Sequence, residues 1–237
     1  MERKFIKEIK SKESPPKLIK KFFDENEIKE LIDLYNKLPV TVHNKKQNVI
    51  KKRWTENFNN EIEKKFLDKL KDAIGEFEID NLKSEDGKQS LGLFQESFGP
   101  IGLHVDTGFN LNDKFYKQTL VPFDNSGQTI IFKNRFYGLS TNFINDKKEL
   151  EEFNDQFGKN KRSNEHLYIY GNKPFDKTSY EKYLKHIDYN NLKGLEIESV
   201  YEWKIGDIFI FDRSHLHSSS CNINKKKLGL ATFTKRK

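Results

Sequence analysis

At 237 residues the chain is long enough to bury a full hydrophobic core as one domain, and nothing in its length calls for two. A single cysteine, Cys221, excludes an intrachain disulfide framework and fits a reducing cytoplasm. The net charge of +7, with 33% charged residues, invites an anionic partner without naming one.

In chain order, Met1 to Lys7 lacks the apolar core of a signal peptide, and no later run approaches the roughly 20 apolar residues of a membrane span. A soluble, cytoplasmic protein without a membrane partner is expected. The lysine-rich stretch from Lys10 to Lys21 is marked as non-helical by Pro15-Pro16. Beyond it the first third reads helical. Asp24 can cap a helix with apolar positions at Ile28, Leu31, Ile32, Leu34 and Tyr35, ending before Pro39. A second helix is predicted from about Asn60 to Phe77, where Ile62, Phe66, Leu67, Leu70 and Ile74 share one face. Trp54, between the two, is expected to cover the core.

From about Ser90 the pattern changes to short runs broken by Gly, Pro, Asn and Asp, which is the pattern of an antiparallel β sandwich or barrel. Eight strands are predicted, near Leu91 to Ser97, Ile101 to Asp106, Tyr116 to Pro122, Gln128 to Lys133, Ile197 to Trp203, Asp207 to Phe211, His215 to Ser219 and Lys227 to Phe233. The turn residues Asp124-Asn125-Ser126-Gly127 predict a hairpin between the third and fourth. The β pattern lapses between about 140 and 195. Two helices are expected there, Asp146 to Phe157 and Tyr180 to Ile187, separated by the polar Gly158 to Asn164. An insertion of this length is expected to serve as a lid over the site or as a decoration. One domain spanning 1–237 follows, with helical support over 1–89 and a β core over 90–234.

Six histidines and 36 acidic residues give about one His-x-(Asp/Glu) by chance, so the motif needs context. Two His-x-Asp occur, His104-Val105-Asp106 and His186-Ile187-Asp188. The first ends a predicted strand, where residues i and i+2 project from one face and can chelate one ion. The second lies in a helical pattern, where i and i+2 point about 200° apart. A surface helix end is the better account of it. A second histidine would complete the three-ligand face of a non-haem Fe(II) centre, with positions left open for co-substrate and O2. Period alone does not separate His215 from His217. Their position before a basic strand favours His217, because Lys227, ten residues on, can pair with the distal carboxylate of a dicarboxylic acid.

Taken together, His104-x-Asp106, His217, Lys227 and the run Gly206-Asp207-Ile208-Phe209-Ile210-Phe211-Asp212 before Leu216-His217-Ser218-Ser219 resemble the Fe(II)/2-oxoglutarate-dependent dioxygenases. The prolyl-hydroxylase-like and phytanoyl-hydroxylase-like branches are the nearest, and the resemblance covers about Ser90 to Thr234. It implies a mainly β chain with N-terminal helices, built on a double-stranded β-helix (jelly roll) core of eight strands with a helical insertion. It also implies His104, Asp106 and His217 as iron ligands and Lys227 as the anchor of the 2-oxoglutarate C5 carboxylate. Gly229 and Ala231 do not supply the serine or threonine often found shortly after that basic residue, and Lys225 and Lys226 adjoin Lys227, leaving the anchor open by one or two positions.

The resemblance implies an oxidoreductase that uses Fe(II), 2-oxoglutarate and O2, decarboxylating 2-oxoglutarate to succinate while hydroxylating a C–H bond. A small molecule or a protein residue is the expected substrate. Nucleic acid is disfavoured, since no arginine pair closes the last strand and no aromatic and basic residues interleave to stack bases. The competing class is a non-catalytic jelly-roll module that binds a metal or ligand.

Overall fold

A strand sends alternate side chains to opposite faces, and from Ser90 onward that period of two decides what enters the interior of this protein. The computed structural model describes residues 4–44, 49–81, 83, 87–108, 114–144, 158–160 and 171–237. Its N-terminal part comprises α1 (Lys4–Lys10), β1 (Lys17–Ile19), α2 (Glu25–Lys37), β2 (Val42–Asn44), β3 (Val49–Thr55), α3 (Asn60–Ile74) and β4 (Glu78–Ile79). The strands β5 (Ser90–Ser97), β6 (His104–Val105), β7 (Phe115–Pro122), β8 (Gln128–Arg135), β9 (Thr141–Phe143) and β10 (Gly158–Asn160) follow. A short helix α4 (Lys177–Ser179) runs on as a π-helical turn over Tyr180–Leu184, ahead of a 3-10 turn at Tyr189–Leu192. The chain closes with β11 (Ile197–Glu202), β12 (Ile208–Asp212), β13 (His215–Ser219) and β14 (Lys227–Lys235).

Among the described residues these strands form two sheets. The first has the order β1-β12-β7-β14-β5-β3-β2, with β4 beside β14, and the second the order β10-β9-β6-β13-β8-β11. Among the described residues only β9 and β10 pair in parallel. The eight strands expected from the sequence make the two facing four-stranded halves of a jelly roll, β12-β7-β14-β5 and β6-β13-β8-β11. The fold is mainly β with N-terminal helices.

Helices α2 and α3 cover the outer face of the first sheet. Asp24 caps α2 in a capping box with Glu27, and Asn59 caps α3 by accepting from the Ile62 N–H. Their apolar faces, with Leu31, Leu34, Phe66 and Leu70, meet Trp54, Phe94, Val121, Ile208, Ile210 and Leu230 in one core. A fully buried side chain of this size contributes about 1.5–3 kcal/mol, and truncating Leu70 to Ala would cost about 2–5 kcal/mol. The opposite face of the same strands points into the barrel, where Phe209 and Phe211 meet Ile131, Tyr201 and Trp203 of the second sheet.

Three expectations are corrected. The first third is not helical throughout, because β1, β2 and β3 extend the first sheet; Trp54, on β3 between the two helices, covers the core as expected. β7 and β8 do not form a hairpin: the Asp124 to Gly127 turn carries the chain from one sheet to the other. Asp124 serves that crossing, accepting from the Ser126 N–H at 3.1 Å and from the Leu228 N–H. Finally, the described part of the insertion is no lid. Phe175, Leu184, Ile187, Leu192 and Leu195 are buried against Ile130, Phe132 and Leu216, on the face of β8 turned away from the barrel. The helix expected over Asp146 to Phe157 lies outside the described residues.

Candidate metal centre

Register brings the two histidines together. His217 of β13 sits directly opposite His104 of β6, with ring centroids 4.0 Å apart. Asp106, two residues beyond His104 and therefore on the same face, brings Oδ2 to 3.2 Å from His217 Nε2 and 3.7 Å from His104 Nε2. One ligand atom from each of the three lies within 4.8 Å of the others.

Backbone carbonyls fix the tautomers. His104 Nδ1 lies 2.8 Å from Gly102 O and His217 Nδ1 lies 3.1 Å from His215 O. A carbonyl oxygen only accepts, so each Nδ1 carries a hydrogen and each Nε2 is the atom turned toward Asp106. Two imidazole Nε2 atoms and a carboxylate oxygen then converge on one point, where a proton or a metal cation joins them. Burial, reinforced by His217, pushes His104 down to about 4. Burial would raise the Asp106 carboxyl, but His104, His217 and the Gln118 amide outweigh it and hold the group below the usual carboxylate range. A neutral imidazole and an ionised carboxylate are the states that bind a metal. Two nitrogens and one oxygen on one face, with other positions left open, fit Fe(II).

The surroundings hold this geometry. The buried Arg213 donates from Nε to Asp106 O at 2.9 Å and from Nη1 to Asp80 Oδ2 at 2.6 Å and Thr234 O at 3.1 Å. Gly108, at φ +111°, leaves room for that guanidinium, since a Cβ there would lie 2.9 Å from Arg213 Nη2. The carbonyl of His215 orients His217, while its own ring lies with Nε2 3.0 Å from Glu198 Oε2 and Nδ1 3.0 Å from Asp212 O. His215 thus supports the cluster from behind.

Lys227 enters the same interior from the first residue of β14. Its buried ammonium donates to Gln128 O at 2.9 Å, lies 3.5 Å from Thr129 Oγ1 and stacks over the Trp203 ring at 4.0 Å. Among the described residues no carboxylate lies within ion-pair distance of it. Burial, resisted only by the charge of Asp124, brings the ammonium down to about 7. Lys226 points the other way, to Glu96, and Lys225 lies in the preceding turn at φ +67°. Thr129 and Ile131 share a face of β8 about 7 Å apart, and they pair with Ser219 and His217 respectively. The ammonium therefore meets β8 two residues along from Ile131, the residue that pairs with His217.

Thr129, Trp203, Gln118 and Arg213 are not distinguished by the sequence. Thr129 Oγ1 accepts from Trp203 Nε1 at 2.8 Å, which leaves its own hydrogen to donate. At Gly229 the absence of a serine or threonine has a steric reason: a Cβ there would lie 2.6 Å from the Trp203 ring. The second His-x-Asp is elsewhere. His186 Nε2 faces Ile101 O at 3.3 Å, and Asp188 caps the 3-10 turn by accepting from the Asn190 N–H at 2.7 Å.

No family model matches the chain, and no curated protein matches its sequence. Solved structures share its fold. An oxidoreductase of the 2OG-Fe(II) oxygenase family from Burkholderia pseudomallei superposes with a TM-score of 0.52 at 11% identity, over 100% of this chain and 92% of that one. SnoN, a non-haem α-ketoglutarate-dependent epimerase from nogalamycin biosynthesis, gives 0.51 at 7% identity over 98% and 83% of the two chains. HygX from Streptomyces hygroscopicus, crystallised with nickel and 2-oxoglutarate, gives 0.50 at 10% identity over 100% and 87%. The shared architecture is that of the 2-oxoglutarate oxygenase jelly roll.

Proposed function

We propose that the protein is an Fe(II)- and 2-oxoglutarate-dependent dioxygenase that hydroxylates a small molecule or a residue of another protein. One observation carries the proposal: a converging His104-Asp106-His217 set and a buried, carboxylate-free Lys227 open onto one barrel interior. A metal-only module has no use for the lysine, and an anion-binding module has none for the triad. The fold shared with 2OG-Fe(II) oxygenases supports the same conclusion.

In this proposal His104, Asp106 and His217 hold the iron by one face. When bound, the iron supplies the O2-dependent oxidation in which 2-oxoglutarate, O2 and a substrate C–H become succinate, CO2 and a C–OH. The chain supplies position and surroundings. Lys227 meets the C5 carboxylate with its ammonium, Thr129 adds its hydroxyl hydrogen, and Trp203 walls the pocket beside them. Because the ammonium stands near neutrality when empty, the incoming dicarboxylate draws a proton onto it and closes the ion pair away from water. Ile131, Phe209 and Phe211 keep the interior apolar, which strengthens that pair and excludes water from the oxidising centre.

The test measures succinate formed from 2-oxoglutarate by the purified protein, with and without Fe(II), and needs no substrate. Iron-dependent succinate that is lost in His217→Ala supports the dioxygenase. Iron bound without turnover of 2-oxoglutarate, even when candidate substrates are added, returns the binding module.

A further inference from the structure

β7 carries one residue that its neighbours make hard to explain as packing. Gln118 is 4% exposed and points into the barrel. Directly opposite it, and so on the same face, stand Phe211 on β12 and Phe233 on β14. An amide between two phenylalanines is costly unless both of its polar atoms are bonded. Only one is. Nε2 donates to Asp106 Oδ2 at 3.1 Å, while Oε1 is buried with no partner. Turning the amide over does not help, because an ionised carboxylate accepts and cannot donate, and the carbonyl would then face it.

The oxygen that receives this hydrogen bond is the same Oδ2 that His104 and His217 approach. We propose that Gln118 is a positioning residue of the metal centre: its amide fixes the rotation of the Asp106 carboxylate so that Oδ2 lies between the two imidazoles before metal arrives. The orphaned carbonyl is the penalty, borne by the metal-free fold. This proposal rests on the metal assignment of the preceding subsection and adds a role that neither the His-x-Asp motif nor the anchoring lysine contains. The buried half-satisfied amide is kept for the metal, since in the empty protein its orphaned carbonyl offsets what its bond to Asp106 contributes.

Removing the amide should therefore cost metal affinity without costing the stability of the metal-free fold. Gln118→Met keeps the length and removes both the donor and the orphan. Thermal unfolding of the metal-free full chain should occur at the wild-type temperature or above it. Co(II) affinity should fall about 10- to 100-fold, the range for losing a hydrogen-bond partner of a metal ligand, and the Co(II) d–d spectrum should change. Gln118→Leu should repeat the pattern. A metal-free variant that unfolds earlier or does not fold overturns the proposal, because the amide would then be holding the fold. So does a variant that binds Co(II) as tightly as wild type with an unchanged spectrum. A wild type that binds no Co(II) removes the metal assignment, and Gln118 then has nothing to position.

Discussion

Two aspartate and lysine pairs lie largely out of solvent in this fold, and they are treated in opposite ways. Near the N-terminal strand, Asp212 is closed on all sides: Lys117 and Arg135 pair with it, and the Ser14 N–H donates to it at 2.9 Å. Burial works against its ionisation, but Lys117 outweighs that and holds the carboxyl below the usual range. Asp106 and Lys227 are instead held apart. Among the described residues Asp106 faces imidazoles and an amide, and Lys227 faces a carbonyl, a hydroxyl and an indole. A fold that neutralises one such pair internally, and leaves a second carboxylate and ammonium open toward one interior, supports the proposed places for a foreign cation and a foreign anion.

The largest expected effect separates the two aspartates. Asp212→Ala strands Lys117 and Arg135 as buried charges and should destabilise the fold by about 3–5 kcal/mol, a large share of a domain's roughly 5–15 kcal/mol. Asp106→Ala should leave metal-free unfolding close to wild type and abolish Fe(II) binding. Chemical denaturation beside an anaerobic iron titration checks both. Equal destabilisation by the two would erase the distinction between a closed and an open pair.

Next comes the open lysine. Lys227→Ala removes a charge-assisted bond worth about 1.5–3 kcal/mol and should weaken 2-oxoglutarate binding roughly 10- to 150-fold at unchanged Fe(II) affinity. Lys226→Ala, which loses only the pair with Glu96, should leave co-substrate binding alone. If Lys226→Ala carried the effect, β14 would be in the wrong register.

A pH series sharpens the contrast further. Lys227 must be charged to hold a dicarboxylate and stands near 7 when empty, so 2-oxoglutarate affinity should fall by up to about tenfold per unit as pH rises above 7. Its effect on folding has the opposite sense. Between about 7 and its ordinary 10.5 the folded chain binds fewer protons at this site than the unfolded chain, so its contribution to stability improves as pH rises through that window. Lys227→Met should flatten both slopes. The smallest effect belongs to Thr129→Val, which loses one uncharged donor to the carboxylate, about 1.5 kcal/mol at the low end for a bond to a charged group, and should weaken 2-oxoglutarate binding roughly 12-fold.

What the sequence discloses depends on how far apart the interacting residues lie. His104 and Asp106 are readable because the period of a strand puts them on one face, and Lys227 is set apart from Lys226 by the same rule. The register that brings His217 opposite His104 joins segments more than a hundred residues apart, and no local pattern contains it. Gln118, Thr129 and Trp203 look like ordinary strand residues until their cross-barrel partners are known. β3 is hidden for another reason: Val49-Ile50-Lys51-Lys52-Arg53-Trp54-Thr55 buries only Val49 and Trp54, so its lysines and arginine break the apolar alternation of a strand. The Asp124 to Gly127 turn is legible as a turn, but its crossing between sheets is set by the pairing of β7 with β12 and β14.

The central claim is that Asp106 and Lys227 are the two ends of one binding site. Anaerobic titration of the Fe(II)-loaded protein with 2-oxoglutarate and with 2-oxobutyrate, which lacks the distal carboxylate, measures the anchor directly through the absorbance of the iron-bound 2-oxo acid. Wild type should prefer 2-oxoglutarate by roughly 10- to 150-fold, and Lys227→Ala should bind the two alike while retaining its iron. A Lys227→Ala protein that keeps the full preference would contradict the account, because the distal carboxylate would then be held by something other than the lysine on which the site is built.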